Sequence, residues 1–237
     1  MKNKLKSLPI VFTIISLILS CYFFIEFKLF SNNKLSAKDI FNKDKNSIVE
    51  LMAHSIDIGE SYGSGIIYNE KGLILTNSHI ICYLVNDEIR IYESLYIRFS
   101  TEENYRDVTL IKNDFDNDLA ILQITNTNNK YQPITFSSMP YTFGDIVYAI
   151  GNTSNYGISI SQGLISVPKV YIIYNNMRKP FIQVDINILH GNSGGALVNE
   201  KGNLIGITTF RTKDSSNDIN YGFAYCTSLE VINEFIS

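Results

Sequence analysis

From Ser47 to the C-terminus the apolar positions fall in short runs, some alternating with polar residues and some continuous, bounded by Gly, Asn, Asp or Ser. "GSGIIY", "GLILTN", "ESLYIRFS", "DLAILQI", "GDIVYAIGN", "GISISQGLISV", "FIQVDI", "GALVN" and "NLIGITTF" are rich in Ile, Tyr, Phe, Val and Thr, and few segments repeat every 3.6 residues. Such side chains fit a pleated, half-buried surface, so the pattern predicts an all-β sandwich or a pair of barrels. Two helices are predicted, a short turn over Ser78–Leu84 and a terminal helix over Ser228–Ile236. "NEKG" occurs twice, at Asn69–Gly72 and Asn199–Gly202, each time between two apolar strands. It reads as a hairpin turn of shared chemistry rather than as a duplication. The polar stretch Asn126–Gln132, "NTNNKYQ", marks a seam between halves over residues 47–127 and 133–227.

The most apolar stretch lies ahead of these strands. Lys2, Lys4 and Lys6 precede Leu8–Ile25, "LPIVFTIISLILSCYFFI", which carries no charge. The run is near the roughly 20 residues that span a bilayer as a helix and exceeds a typical signal-peptide core. "ILSC" resembles a lipoprotein cleavage site, but the apolar run continues past it without a small-residue site. Residues 1–30 therefore read as a cytoplasmic stub and an uncleaved transmembrane signal anchor. Residues 31–46, "SNNKLSAKDIFNKDKN", are polar without periodicity and read as a tether to a domain over 47–237. Lys28, Lys34, Lys38 and Lys43 lie beyond the run and blur the positive-inside asymmetry, so charge alone does not orient it.

Composition narrows the classes further. The 237 residues are 45% hydrophobic and 18% charged, enough for one large domain or two small barrels with a core. A net charge of −3 with scattered lysines gives no nucleic-acid footprint. Cys21, Cys82 and Cys226 are odd in number and contain no CxxC, which argues against a disulfide framework or a zinc site. Cys82 and Cys226 are expected to be free buried thiols.

The candidate chemistry centres on "HGNSGGALVN", His190–Asn199, where Ser193 sits among three glycines. A tight turn is the common meaning of such a cluster; a nucleophile whose neighbouring N–H groups approach an oxyanion is the chemical one. A serine hydroxyl needs a base, and three histidines are present. His54 falls in a strand pattern, and His190 is on the same loop as the serine. His79, at the exit of "GLILTNSH", is the better base. In "DFDND", Asp118 opens an apolar strand, whereas Asp114 and Asp116 read as solvated loop charges. The D-x-D-x-D spacing does not make a calcium loop, because Leu119 and Thr125 stand where Gly and Glu are required. "GNSGG" matches the hydrolase elbow, but that class places its histidine after the serine, and none follows Ser193. The order His79, Asp118, Ser193 on a β-rich chain is that of chymotrypsin-like proteases.

In sequence, "GSGIIYNEKGLILTNSHII", "NDLAILQI", "FGDIVYAIGN", "SQGLIS", "FIQVDINILHGNSGGALVN" and "GNLIGI" resemble the protease domain of HtrA/Deg-type serine endopeptidases. The resemblance runs from Ser47 to the C-terminus. It implies two six-stranded antiparallel β-barrels with the active site between them, and it puts His79, Asp118 and Ser193 on the triad positions. The N–H groups of Gly191 and Ser193 match the oxyanion hole, and Asn187, Thr208, Thr209 and Phe210 match walls of the primary pocket. No acid in "DINIL" or "GITTF" attracts Lys or Arg, so a small or medium apolar residue before the cut is expected. No metal or organic cofactor is implied. The sequence departs from the family at three points. PDZ regulation is not carried over, because the resemblance covers the protease domain only. Leu189 and His190 replace the usual Asn-Pro, which is expected to leave the serine loop freer. Thr208 stands where glutamyl endopeptidases carry a histidine, so strict glutamate preference is not expected.

The combined expectation is a membrane-anchored serine endopeptidase acting on protein or peptide substrates, its protease domain outside the cytoplasmic membrane. The rival is a catalytically silent protease-fold protein that binds extended peptides at a barrel edge. Retention of all three triad residue types speaks against it.

Overall fold

The computed structural model describes residues 12–24, 34–86, 88–125, 129–213 and 219–237. It divides into two units, Met1–Leu35 and Ser36–Ser237. The first contains a helix, α1, over residues 12–24; the rest of the expected Leu8–Ile25 span lies outside the described residues. No helix among the described residues is long and apolar enough to cross a membrane.

The second unit begins inside the stretch expected to be a tether. Residues Ala37–Asp44 form α2, N-capped by Ser36, whose Oγ accepts the Asp39 N–H at 3.2 Å. Ile40 is fully buried. Lys43 Nζ donates to the carbonyls of Lys201 and Gly202 and to Asn203 Oδ1 at 2.7, 2.8 and 3.0 Å. The segment looked unstructured because one buried isoleucine in an eight-residue helix leaves no readable stripe. A lysine that satisfies three distant acceptors fixes it instead.

Six strands then close the first barrel: β1 (Ile48–Ser55), β2 (Gly59–Ile67), β3 (Leu73–Thr76), β6 (Ser94–Phe99), β7 (Arg106–Asp114) and β8 (Leu119–Ile124). Their order is β1-β2-β3-β8-β7-β6. Alternate side chains such as Val49, Leu51, Ile97, Leu122 and Ile124 point inward to one apolar cluster. The second barrel joins β9 (Ile146–Asn152), β10 (Ile158–Tyr174), β11 (Met177–Asp185), β12 (Ala196–Asn199), β13 (Leu204–Lys213) and β14 (Ile219–Ser228). Its order is β10-β11-β14-β13-β12-β9, around Val147, Ile182, Val184, Leu197 and Cys226. Closure gives every barrel strand two hydrogen-bonded neighbours. The architecture is the mostly β, chymotrypsin-like one expected.

The two "NEKG" segments turn identically. Asn69 Oδ1 accepts the N–H groups of Lys71 and Leu73, and Asn199 Oδ1 those of Lys201 and Asn203, all at 3.0 Å. An Asx side chain that captures backbone donors two residues on explains the repetition.

The predicted helix over Ser78–Leu84 is shorter than expected. Helix α3 covers Ser78–Ile81, and β4 (Cys82–Val85) then pairs with β5 (Glu88–Ile91) as a separate two-stranded sheet. The β-prone run Cys82-Tyr83-Leu84-Val85 satisfies its backbone on β5 rather than in further helical turns. At the other end α4 (Leu229–Ile236) buries Ile232 and Phe235. Lys112 of β7 donates to the Phe235 carbonyl at 2.5 Å, tying the terminal helix to the first barrel. Cys82 and Cys226 are free and buried.

Asp44 closes α2 almost without solvent contact, and its Oδ2 has no hydrogen-bond partner. Burial pushes its pKa from 3.8 up to about 6, against the opposing effect of Lys43. An acid whose pKa is raised on folding gives stability that is complete below its unfolded value and lost as pH rises through the folded one. The loss therefore develops between pH 3.8 and about 6. Asp44→Asn is expected to raise the melting temperature at pH 7.5 and to leave it unchanged below pH 3.8, as thermal melts at the two pH values would record.

Candidate active site

The apolar strand β3 ends at Thr76, and Asn77 leads into α3, so His79 stands where the chain leaves the first barrel. Asp118 opens β8 after a tight turn in which its N–H bonds the Phe115 carbonyl at 3.3 Å. Asp114, expected to be a solvated charge, caps that turn instead: Oδ1 takes the Asn117 N–H at 2.9 Å. Asp118 has φ of +54°, a left-handed conformation that Asp tolerates better than most residues. The turn aims its carboxylate at α3. Oδ1 accepts the His79 backbone N–H and Oδ2 meets His79 Nδ1, each at 2.8 Å. Asp118 is only 2% exposed, whereas the His79 side chain is 40% exposed. A buried carboxylate thus holds one ring nitrogen and leaves Nε2 facing the cleft.

Ser193 comes from the second barrel, on the loop before β12. Gly191 has φ of +87°, and a Cβ there would lie 2.0 Å from the Asn152 carbonyl. Gly194, at +81°, would place a Cβ 2.1 Å from the Ser64 carbonyl. The loop needs glycine for both its backbone conformation and its packing. The N–H groups of Gly191 and Ser193 donate to no acceptor among the described residues. Two unpaired donors flanking a hydroxyl suit an oxygen that gains negative charge. His79, Ser193, Gly191, His190, Ser61 and Asn155 border one cavity of about 510 Å³. The structure thereby brings His79 and Ser193 to one cleft, with Asp118 buried behind the imidazole. His54 stays on β1, 3.9 Å from Glu60.

Ser193 Oγ donates to the Thr209 carbonyl at 2.9 Å. That carbonyl is available because the β13–β14 register steps from Thr208↔Cys226 to Phe210↔Tyr225, leaving Thr209 as an extra residue. Two of the expected wall residues, Thr208 and Thr209, lie at this bulge. Thr208 and Thr209 are each 1% exposed. Thr208 Oγ1 bonds the carbonyls of Asn192 and Gly195, and Thr209 Oγ1 meets Thr227 Oγ1 at 2.9 Å. The Thr208 side chain braces the serine loop, whereas that of Thr209 ties β13 to β14. Phe210 is half-buried and Asn187 exposed.

Three residues missed by the sequence reading hold the site together. Ser64 of β2 donates its hydroxyl to the Gly191 carbonyl at 2.7 Å, accepts the Asn152 N–H at 2.8 Å, and gives its own N–H to the Ser193 carbonyl at 2.8 Å. Asn77 Nδ2 donates to the Asp118 carbonyl at 2.8 Å while its Oδ1 accepts the Gly194 N–H at 2.7 Å. Tyr174 donates to Asp118 Oδ2 at 2.9 Å. A serine, an asparagine and a tyrosine carry no signal of such contacts in the chain. Only the "GSG" context of Ser64 hinted at a close approach.

The serine loop is also less free than its lack of proline suggests. Leu189 is 41% exposed and does not anchor it. The His190 carbonyl accepts the Ser154 N–H at 2.7 Å and the Leu189 carbonyl the Asn192 N–H at 3.1 Å, and with Ser64 these bonds take proline's place. Cys82 and Cys226 offer no rival nucleophile, since burial pushes both thiols up in pKa.

This fold and site have known counterparts. Residues 63–207 match the trypsin-like peptidase domain. The chain is 38% identical over 181 residues to the serine endoprotease DegS of Salmonella typhimurium, covering 76% of this chain and 47% of that one. DegS of Escherichia coli is 40% identical over 157 residues, 66% and 41% of the two chains. The solved serine endoprotease from Yersinia pestis superposes with a TM-score of 0.66 at 30% identity, covering 85% of this chain and 65% of that one. A structure of the HtrA-type protease AlgW with a tripeptide gives 0.70 at 26% identity, covering 85% and 62%. The chain belongs to the trypsin-like peptidases. Within them it is of the HtrA type, and it spans about half the length of the curated relatives it matches.

Ser64 joins the two barrels at the serine loop, so its removal tests how far the loop depends on that bond. Ser64→Ala leaves a buried carbonyl and a buried N–H without their partner and is expected to cost about 1–3 kcal/mol. Urea denaturation should show a lower midpoint with an unchanged slope.

Proposed function

We propose that the chain is a membrane-anchored serine endopeptidase that cleaves protein or peptide substrates through an acyl-enzyme. The observation that carries this reading is the His79–Asp118 pair facing a cleft that also holds Ser193 and two unpaired N–H donors. In the resting structure the Ser193 hydroxyl points to the Thr209 carbonyl. Rotation about χ1 turns it toward His79 Nε2, and such bonds often form only in the substrate complex. His79 then takes the hydroxyl proton as Oγ attacks the scissile carbonyl. Asp118 holds Nδ1 as the donor and stabilises the imidazolium that results. The carbonyl oxygen becomes an oxyanion between the Gly191 and Ser193 N–H groups, where a single donor is worth roughly 10²–10³ in turnover. His79 returns the proton to the leaving amine, and water repeats the sequence on the acyl-enzyme. The relatives named as serine endoproteases support the same chemistry.

Anchoring rests on the uncharged run Leu8–Ile25, with Lys2, Lys4 and Lys6 before it. The described part, α1, exposes Phe12, Leu17, Ile18 and Phe23. A helix apolar all round needs an apolar surrounding such as lipid. The protease domain lies outside the cytoplasmic membrane in this reading.

Ser193→Ala and His79→Ala are each expected to abolish casein cleavage and fluorophosphonate labelling, the former by about 10⁶ in turnover. Retained melting temperatures would show that chemistry and not the fold was lost; activity surviving either change would overturn the assignment. For topology, a periplasm-dependent reporter fused after Ser237 should be active, and activity of a cytoplasm-only reporter at that position would refute the orientation.

A further inference from the structure

We propose that Tyr174 is a positioning residue for Asp118, delivered by a hairpin of the second barrel that clamps the acid of the first. The inference rests on the triad reading above and extends it to a residue outside the triad.

The phenol hydroxyl of Tyr174 donates to Asp118 Oδ2 at 2.9 Å, the same oxygen that meets His79 Nδ1 at 2.8 Å. The His79 backbone N–H occupies Oδ1. A carboxylate 2% exposed cannot recruit bulk water to fill its remaining acceptor sites. His79 supplies two of these three donors and Tyr174 the third. Burial, and then the nearby Asp118 charge, push the phenol up in pKa, which keeps it protonated and therefore donating at neutral pH.

The sequence around Tyr174 builds the clamp. β10 is bent by register shifts on both sides of Val167, next to Pro168, which has no N–H for the ladder. Its outer part continues with β11 as a hairpin closed by Asn175 and Asn176, at φ of +49° and +59°. Two left-handed central residues define the tight turn whose twist matches its strands, and Asn is suited to both. Tyr174 pairs with Met177 across that turn, so register fixes the face its ring takes. Asn175 Nδ2 donates to the Phe115 carbonyl at 2.9 Å. The tip thus holds both ends of the Phe115–Asp118 turn.

The ring is held from behind. Tyr174 stacks on Phe210 at 4.8 Å with the planes 15° apart, and Phe181 meets it edge-on at 5.7 Å. Phe210 follows Thr209, whose carbonyl accepts the hydrogen bond donated by the Ser193 hydroxyl. One phenol therefore touches the acid at its hydroxyl and the strand beside the nucleophile at its face. Removing the hydroxyl leaves Oδ2 to His79 alone, and it frees the carboxylate to rotate away from the imidazole.

Tyr174→Phe in the full chain tests this, since it keeps the stacked ring and deletes one donor. The turnover number on a fluorogenic peptide should fall about tenfold with KM unchanged, the pattern of an interaction that acts on the chemical step. In a Ser193→Ala background, the downfield proton resonance of His79 Nδ1–H should shift or broaden on adding Tyr174→Phe. An unchanged resonance overturns the proposal, as does a rise in KM with turnover intact, which would make Tyr174 a substrate contact. Failure of the wild type to label with a fluorophosphonate would overturn the endopeptidase reading alone. The resonance decides the role of Tyr174 in either case.

Discussion

A carboxylate almost wholly removed from water is the constraint around which this molecule is arranged. Asp118 is 2% exposed, and a charge in that position is tolerated only where donors replace its hydration. The helix α3 supplies a backbone N–H and an imidazole, and the β10–β11 hairpin supplies a phenol. Asn77 restrains the carbonyl of the same residue. Each donor fixes an element. α3 must start where β3 ends, the acid turn must adopt its left-handed residue, and the hairpin must reach across from the other barrel. Stability and site geometry here depend on the same hydrogen bonds.

The serine loop follows a complementary logic. Leu189 is exposed while Ile188 before it is buried in the second barrel, and the loop's glycines lie against carbonyl oxygens of neighbouring segments. Ser64 and Thr208 fix its carbonyls from opposite barrels. With those oxygens held inward or to the side, the N–H groups of Gly191 and Ser193 meet no acceptor among the described residues. A loop held by several hydrogen bonds resists distortion in a way that a single ring constraint at one φ angle does not reproduce.

Two further contacts support this frame. The aromatic series Tyr174, Phe210 and Tyr225 stacks at 4.8 and 5.2 Å. It runs from the acid turn to the interior strand β14 and gives the hairpin a rigid backing. α2 adds a second contact, reaching the Lys201–Asn203 turn of the second barrel through Lys43. Both contacts attach connecting segments to a barrel without enlarging its core.

The chain by itself determined what repeats at short range. Alternating β-prone runs gave the all-β class, the two Asn-led turns were legible as equal, and glycine around a single serine marked the loop. The order His79, Asp118, Ser193 excluded the hydrolase elbow and left one arrangement standing. Elements defined by distant partners were not legible. α2 shows one buried apolar residue and depends on Lys43 finding three acceptors some 160 residues away. Cys82–Val85 reads equally as the end of a helix until β5 is present to pair with it. The burial of Thr208 and Thr209 at a one-residue bulge was likewise not legible, because the bulge is set by pairing with β14. Ser64, Asn77 and Tyr174 have no local signature, because a hydroxyl or amide side chain gains meaning only from the acceptor that folding brings to it. Periodicity and turn chemistry are properties of neighbours along the chain, whereas a hydrogen bond between barrels is decided by closure and register, which only the tertiary structure sets.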